Sequence, residues 1–157
     1  MLIRQAAAND IDGLIQLRMD YLAAHFGDIS ETREQICAQL KGYFAAHLSR
    51  DFLAFLAEEN GRPIACAFLV VQEKPANPRF PGGRTGLLLN VFTYAAYRRR
   101  GVASRLLSAV IDEARKNGLS SIELTATEAG APLYEKFGFE QKETGKEMIL
   151  VINTRSS

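Results

Sequence analysis

The sequence predicts a mixed α/β fold: a central mixed sheet, containing one parallel strand pair, flanked by helices. Three observations carry that expectation. An apolar run from Leu87 to Val91 gives way, through a basic corner, to Val102, Leu106, Leu107, Val110, Ile111 and Ala114 at helical spacing. A stretch alternating apolar and polar residues, Ser121 to Thr127, follows that helix, and a parallel partner strand needs a crossover of this kind. Earlier in the chain, Asn60-Gly61 separates two apolar runs, and this dipeptide supplies the positive φ values of a tight hairpin.

The elements follow in order. Leu2-Ile3-Arg4 reads as a short first strand. Asn9 is placed to cap a helix from Asp10 to about Ala24, with Ile11, Leu14, Ile15, Arg18 and Leu22 at helical spacing and Gly27-Asp28 breaking it. Ser30 is placed to cap a second helix over Glu31–Leu48, with Ile36, Leu40, Tyr43, Phe44 and Leu48 along one face. Strands are expected at Phe52–Glu58 and Pro63–Gln72, around the Asn-Gly turn. The segment from Glu73 to Thr85 holds Pro75, Pro78, Pro81, Gly82 and Gly83, so it reads as the one substantial loop, either a functional loop or a plain hairpin connection. The central strand is Gly86–Tyr94, and the helix from Val102 to about Lys116 ends at Asn117-Gly118. A short helix begins near Pro132 and stops at Gly138. Phe139–Glu143 and Glu147–Ile152 are expected to form a final hairpin around Thr144-Gly145-Lys146. The element order is therefore β-α-α-β-β-β-α-β-α-β-β, with no repeats or linkers.

A chain of 157 residues corresponds to one domain, 1–157, with enough length to bury a core. A net charge of +1 argues against a surface built to coat nucleic acid or an acidic membrane. The longest apolar run, Ile64–Val71, is too short to cross a bilayer, and Met1–Gln5 shows no signal-peptide pattern, so a cytoplasmic location is expected. Cys37 and Cys66 sit in apolar patterns without metal-ligand spacing and read as buried reduced thiols; no metal is expected.

The corner at Arg98-Arg99-Arg100-Gly101-Val102-Ala103 has the geometry of an anion site. The first N–H groups of a helix lack internal partners, and the helix start carries roughly half a positive charge. Gly101 removes the side chain that would keep an anion from the backbone, and the arginines add charge and forked donors. About thirty residues on comes a second motif, Ala131-Pro132-Leu133-Tyr134-Glu135-Lys136-Phe137-Gly138-Phe139.

On these two motifs, in this order, the chain resembles the GNAT superfamily, the Gcn5-related N-acetyltransferases. The first looks like that family's (Gln/Arg)-x-x-Gly-x-(Gly/Ala) pyrophosphate loop, and the second like its late helix ending Leu-Tyr-x-x-x-Gly-Phe. The resemblance runs from Ile3 to about Val151 and implies the GNAT acyl-CoA N-acyltransferase fold. It implies an acetyltransferase that uses acetyl-CoA as acyl donor. The pyrophosphate is expected on the main chain of Arg98, Arg99, Arg100, Gly101, Val102 and Ala103, and the pantetheine arm on main-chain groups of Val91, Phe92 and Thr93. Tyr134 occupies the family's general-acid position. Asn90, a polar amide within an apolar strand, must find partners and is a candidate for ordering water or substrate, or for bonding a neighbouring loop. The Asn that many relatives carry after the fifth strand is missing; Thr127-Glu128-Ala129-Gly130 stands there. No general base is assigned. His25 and His47 read as surface or helix-end residues.

The resemblance places Arg18, Tyr21, Phe26, Tyr43, Phe44 and Phe80 on the acceptor side, although most of the aromatics are needed for the core. Arg18 could pair a substrate carboxylate or a surface acid. The leading expectation is transfer to a primary amine of a small molecule or amino-acid-like acceptor. A CoA-binding module without turnover, and transfer to a protein N-terminus or lysine, remain the alternatives. No nucleic acid or membrane partner is expected, and a homodimer is left open.

Overall fold

In the computed structural model, the residues described are 1–142 and 145–153. The chain divides into two compact units, Met1–Thr125 and Ala126–Ser157.

The first unit holds a five-stranded sheet in sequential order. Its strands are β1 (Leu2–Gln5), β2 (Phe52–Glu59), β3 (Arg62–Glu73), β4 (Arg84–Thr93) and β5 (Ile122–Glu123). The helices of this unit are α1 (Ile11–Phe26), α2 (Arg33–His47) and α3 (Val102–Lys116), with single 3-10 turns at Ala8–Asp10 and Ala95–Tyr97. Strands β1 to β4 pair antiparallel. The β2–β3 turn has Asn60 at φ 53° and Gly61 at φ 75°, the two positive values a two-residue hairpin loop requires.

The alternation of the strands sorts the core into two faces. Phe52, Ala54 and Leu56 of β2 and Cys66 and Phe68 of β3 cluster with Leu14, Leu17, Met19 and Leu22 of α1 and Leu40 and Phe44 of α2. The intervening buried residues, Leu53, Phe55, Ala57, Ala65, Ala67 and Leu69, face the other way. Helix α3 lies against strands β2, β3 and β4 and buries Val102, Leu106, Leu107, Val110 and Ala114. Its bounds match the sequence expectation at both ends, because Gly101 precedes it and Asn117-Gly118 closes it.

Other boundaries shift by one or two residues. Helix α1 takes Asp10 as its N-cap in place of Asn9, because the Asp10 carboxylate is already fixed: it accepts the Ala7 N–H and two donors of Arg4. Helix α2 is capped by Thr32 in place of Ser30, whose N–H is held by the Asp28 side chain. The Pro-Gly loop is residues 74–83 and is ordered by its own bonds. Asn77 Oδ1 accepts from the N–H groups of Arg79 and Phe80, and the Lys74 N–H reaches the Gly83 carbonyl at 2.8 Å. It is a hairpin connection between β3 and β4.

Two expectations about the C-terminal third change. The strand expected over Ser121–Thr127 pairs only through Ile122 and Glu123, parallel to Gly86 and Leu87 of β4. Alternation persists to Thr127, but a parallel ladder lasts only while its neighbour stays alongside. In the second unit, α4 (Ala131–Lys136) forms as expected, with Pro132 in its first turn. Phe139 to Lys142 and Gly145 to Asn153 carry neither helix nor strand, so the final hairpin is not found among the described residues; Glu143 and Thr144 of that expectation lie outside them. Met148, Ile149, Leu150 and Ile152 are 82% to 91% exposed. A strand's stability comes mainly from packing on neighbours, and side chains this exposed supply little of it.

Candidate active site

The site is built on the end of β4 and the start of α3. Pairing between β3 and β4 slips between Cys66–Phe92 and Phe68–Leu89, so Asn90 and Val91 stand opposite the single residue Ala67. This is a β-bulge on β4, and Asn90 takes φ 55°, a left-handed conformation that asparagine tolerates better than most residues. The extra residue shifts the phase of the strand. Leu89 and Phe92, three apart, both pack on the α1/α2 cluster, and so does Tyr94 beyond the strand.

Asn90 is 2% exposed and its amide is fully engaged. Arg18 Nη1 donates to Asn90 Oδ1 at 3.0 Å, and Asn90 Nδ2 donates to Cys66 Sγ at 3.2 Å. The Cys66 thiol in turn faces the Asn90 carbonyl at 3.4 Å. Burial pushes the Cys66 thiol up to about 12, so it stays protonated and unreactive, and neither cysteine is in a disulfide. Burial also lowers Arg18 from the ordinary guanidinium value.

From Leu88 to Thr93 the side of β4 away from β3 carries no strand partner among the described residues, because β5 accompanies β4 only at Gly86 and Leu87. Main-chain donors and acceptors around Val91, Phe92 and Thr93 are thus presented along a strand edge. Beside this edge lies a pocket of about 240 Å³ lined by Tyr21, Ala24, His25, Val91, Phe92, Thr93 and Arg98. Tyr21 and Phe92 meet edge to face at 6.3 Å, and Tyr21 stacks on His25 at 5.8 Å. The Arg98 side chain is turned back by a 3.0 Å bond from Nε to the Thr93 carbonyl.

The turn into α3 has the form expected of an anion cradle. Arg99 has φ 63° and Gly101 φ 73°, so the backbone reverses hand twice in three residues. The first bond of the helix runs from the Arg105 N–H to the Gly101 carbonyl at 3.2 Å. Among the described residues, the N–H groups of Arg99, Arg100, Gly101, Val102 and Ala103 find no acceptor. A Cβ on Gly101 would meet nothing within 4 Å. Arg100 stacks on the Tyr97 ring at 5.3 Å and lies 3.8 Å from Glu59, an exposed pair of little energetic weight.

Of the acceptor-side candidates, Phe44 is core, and Tyr43 packs with it and Phe52 in an aromatic cluster. Phe26 is 68% exposed, and Phe80 belongs to the ordered 74–83 turn. Arg18 and Tyr21 stay at the site. His25, read from the sequence as a helix-end residue, lines the pocket. The signal that could have found it is its spacing, four residues beyond Tyr21 and seven beyond Arg18, on one face of α1. In the second unit, the Tyr134 ring meets Phe139 edge to face at 5.9 Å, and both Phe137 and Phe139 donate to the Tyr134 carbonyl. Thr127 closes the turn ahead of α4: its hydroxyl accepts the Gly130 N–H at 3.1 Å.

An open strand edge thus leads to a helix start rich in unpartnered amides. The model of the acetyltransferase (GNAT) family matches residues 12–139, and the chain belongs to that family of acetyltransferases. Among solved structures, it is similar to a predicted acetyltransferase with acetyl-CoA from Clostridium acetobutylicum, with 25% identity, TM-score 0.80 and coverage of 94% of this chain and 95% of that one. It is also similar to a GCN5-related N-acetyltransferase from Ralstonia eutropha JMP134, with 24% identity, TM-score 0.78 and coverage of 94% and 97%. A glucosamine-6-phosphate N-acetyltransferase from Arabidopsis thaliana shares the fold at 18% identity and TM-score 0.70, over 96% of this chain and 98% of that one. No curated protein matches the sequence. No helix among the described residues is long and apolar enough to cross a membrane.

Proposed function

We propose that the protein transfers an acetyl group from acetyl-CoA to the primary amine of a small, amino-acid-like molecule. The observation that carries this is the pairing of the open β4 edge with the amide cradle at Arg99–Ala103. The cradle offers the donors and the positive helix end that a diphosphate needs. The edge offers alternating donors and acceptors to the two amides of a pantetheine arm. A main-chain N–H near Val91 or Phe92 would then polarise the thioester carbonyl.

In the reaction the amine nitrogen donates its lone pair to the thioester carbonyl carbon, the C–S bond breaks, and sulfur departs with its electrons. The ammonium gives up one proton to solvent before attack, since a free alkylamine is protonated below about pH 10, and the nitrogen gives up a second after attack, which replaces the proton passed to sulfur. One proton goes to the sulfur. Tyr134 is proposed as its source, on the support of the Leu133-Tyr134 and Gly138-Phe139 motif. Asn90, buried with its amide engaged, enters as a positioning residue that holds the bulge and the Arg18 side chain.

The test is thiol release from acetyl-CoA over a panel of small amines, beside calorimetry with acetyl-CoA alone. Tyr134→Phe should lower kcat about 10²-fold with acetyl-CoA affinity unchanged, and Gly101→Glu should abolish acetyl-CoA binding. Full activity in both variants would overturn the assignment. Acetyl-CoA binding without turnover of any amine, peptide or protein would favour a sensor.

A further inference from the structure

Arg18 projects from the middle of α1 into the space between that helix and the β4 bulge. Its side chain is half-buried, yet no carboxylate among the described residues pairs with it. Among the described residues its one hydrogen bond is to the neutral amide of Asn90, and its carbon Cζ sits 5.7 Å from the centroid of Tyr21. A partly desolvated cation is costly to maintain without a counter-ion. A chain that needed only packing here would do better with methionine or leucine, while a structural cation would bring its own acid, as Arg4 does with Asp10 and Glu58 in the same unit. The fork of a guanidinium presents five donors, and Asn90 occupies one of them. Tyr21, the ring beneath that guanidinium, also lines the pocket beside the β4 edge.

We infer that Arg18 is the specificity residue for the acceptor, and that the acceptor is an amine bearing a carboxylate, of the α-amino acid class. The inference rests on the acetyl-transfer reading above and refines its substrate. Asn90 positions the guanidinium by taking one N–H, which leaves the remaining donors to grip a carboxylate in bidentate fashion. Tyr21, stacked on His25 and edge-on to Phe92, gives the pocket an aromatic wall, suited to the apolar part of such a molecule.

The experiment compares α-amino acids with the amines that their decarboxylation would give, for example L-phenylalanine with 2-phenylethylamine and L-leucine with 3-methylbutylamine. Rates are expressed per unit of free base, and acetyl-CoA binding is measured separately by calorimetry. The wild-type protein should favour the carboxylated member of each pair by about ten- to a hundredfold in kcat/KM, mostly through KM. In Arg18→Met the two members should be used equally, and Arg18→Lys should retain part of the preference. Asn90→Asp, which supplies an internal carboxylate within reach of Arg18, should also erase the preference. If acetyl-CoA binds and amines are acetylated without a wild-type preference, the inference fails while the acetyl-transfer reading stands. The same holds if the preference survives in Arg18→Met. A variant that does not fold leaves the wild-type ratio as the deciding measurement. Failure to bind acetyl-CoA at all would sink both.

Discussion

The Tyr94 hydroxyl donates to the Asp20 carboxylate, joining the residue just beyond β4 to the middle of α1 across 74 positions of sequence. With the Arg18–Asn90 bond, it fixes α1 to the bulged strand at two heights. Alternate polar residues of one helix turn thereby hold the backbone whose edge lacks a strand partner.

Breaking this tie should loosen the β4 end. Tyr94→Phe removes one charge-assisted hydrogen bond and should cost about 1–2 kcal/mol in urea unfolding at pH 7. Burial, and next the Asp20 bond, raise the Tyr94 phenol above the ordinary range. A raised acid contributes stability that is complete below its unfolded value and is lost as pH rises toward the folded one. The wild-type advantage over the Phe variant should therefore hold to about pH 10 and shrink above it.

Asp10, bonded to Arg4, should titrate the other way. The Arg4 hydrogen bond holds Asp10 below the usual carboxylate range. A depressed acid stabilises above its unfolded value, near pH 4, and that contribution is lost as pH falls through the folded one. Arg4→Met should cost about 1 kcal/mol at pH 7, reduced by the partial exposure of the site. The difference from wild type in thermal unfolding should narrow by pH 3.

Gly101 should be sensitive for two separable reasons. Its φ of 73° disfavours any side chain, so Gly101→Ala should lower stability by about 1 kcal/mol. On the proposed reading, the added methyl, which meets no protein atom within 4 Å, should weaken coenzyme A binding in calorimetry. A variant that loses stability but binds normally would place the diphosphate elsewhere.

The two thiols should differ in reactivity. Cys66 is buried with its thiol held neutral, while Cys37 is half-buried. A disulfide reagent at pH 8 should titrate Cys37 in the native protein, and Cys66 only after denaturation. Coenzyme A should leave both rates nearly unchanged.

Much of this was legible from residues alone. Helix α3 matched at both ends because glycine and Asn-Gly punctuate it, and the β2–β3 turn announced itself as Asn60-Gly61. The strand before the cradle and its parallel partner were legible from the apolar run and the crossover between them. The length of β5 was not, because alternation continues to Thr127 and no local signal says where two parallel strands part. The bulge left one trace, an asparagine in an apolar strand, which flagged Asn90 without revealing that the register slips there. A single histidine near a helix end carries no signal of its own, and His25 is marked only by the helical face it shares with Arg18 and Tyr21. Helix starts moved from Asn9 to Asp10 and from Ser30 to Thr32, since competing side-chain bonds choose among adjacent capping residues.

The early parting of β4 and β5 has a consequence for how such a protein can diversify. Whatever docks along Leu88–Thr93 does so on peptide groups, which every amino acid carries except proline, with its missing N–H. Side-chain changes in that segment can therefore reshape the neighbouring pocket while leaving the peptide groups of the edge in place.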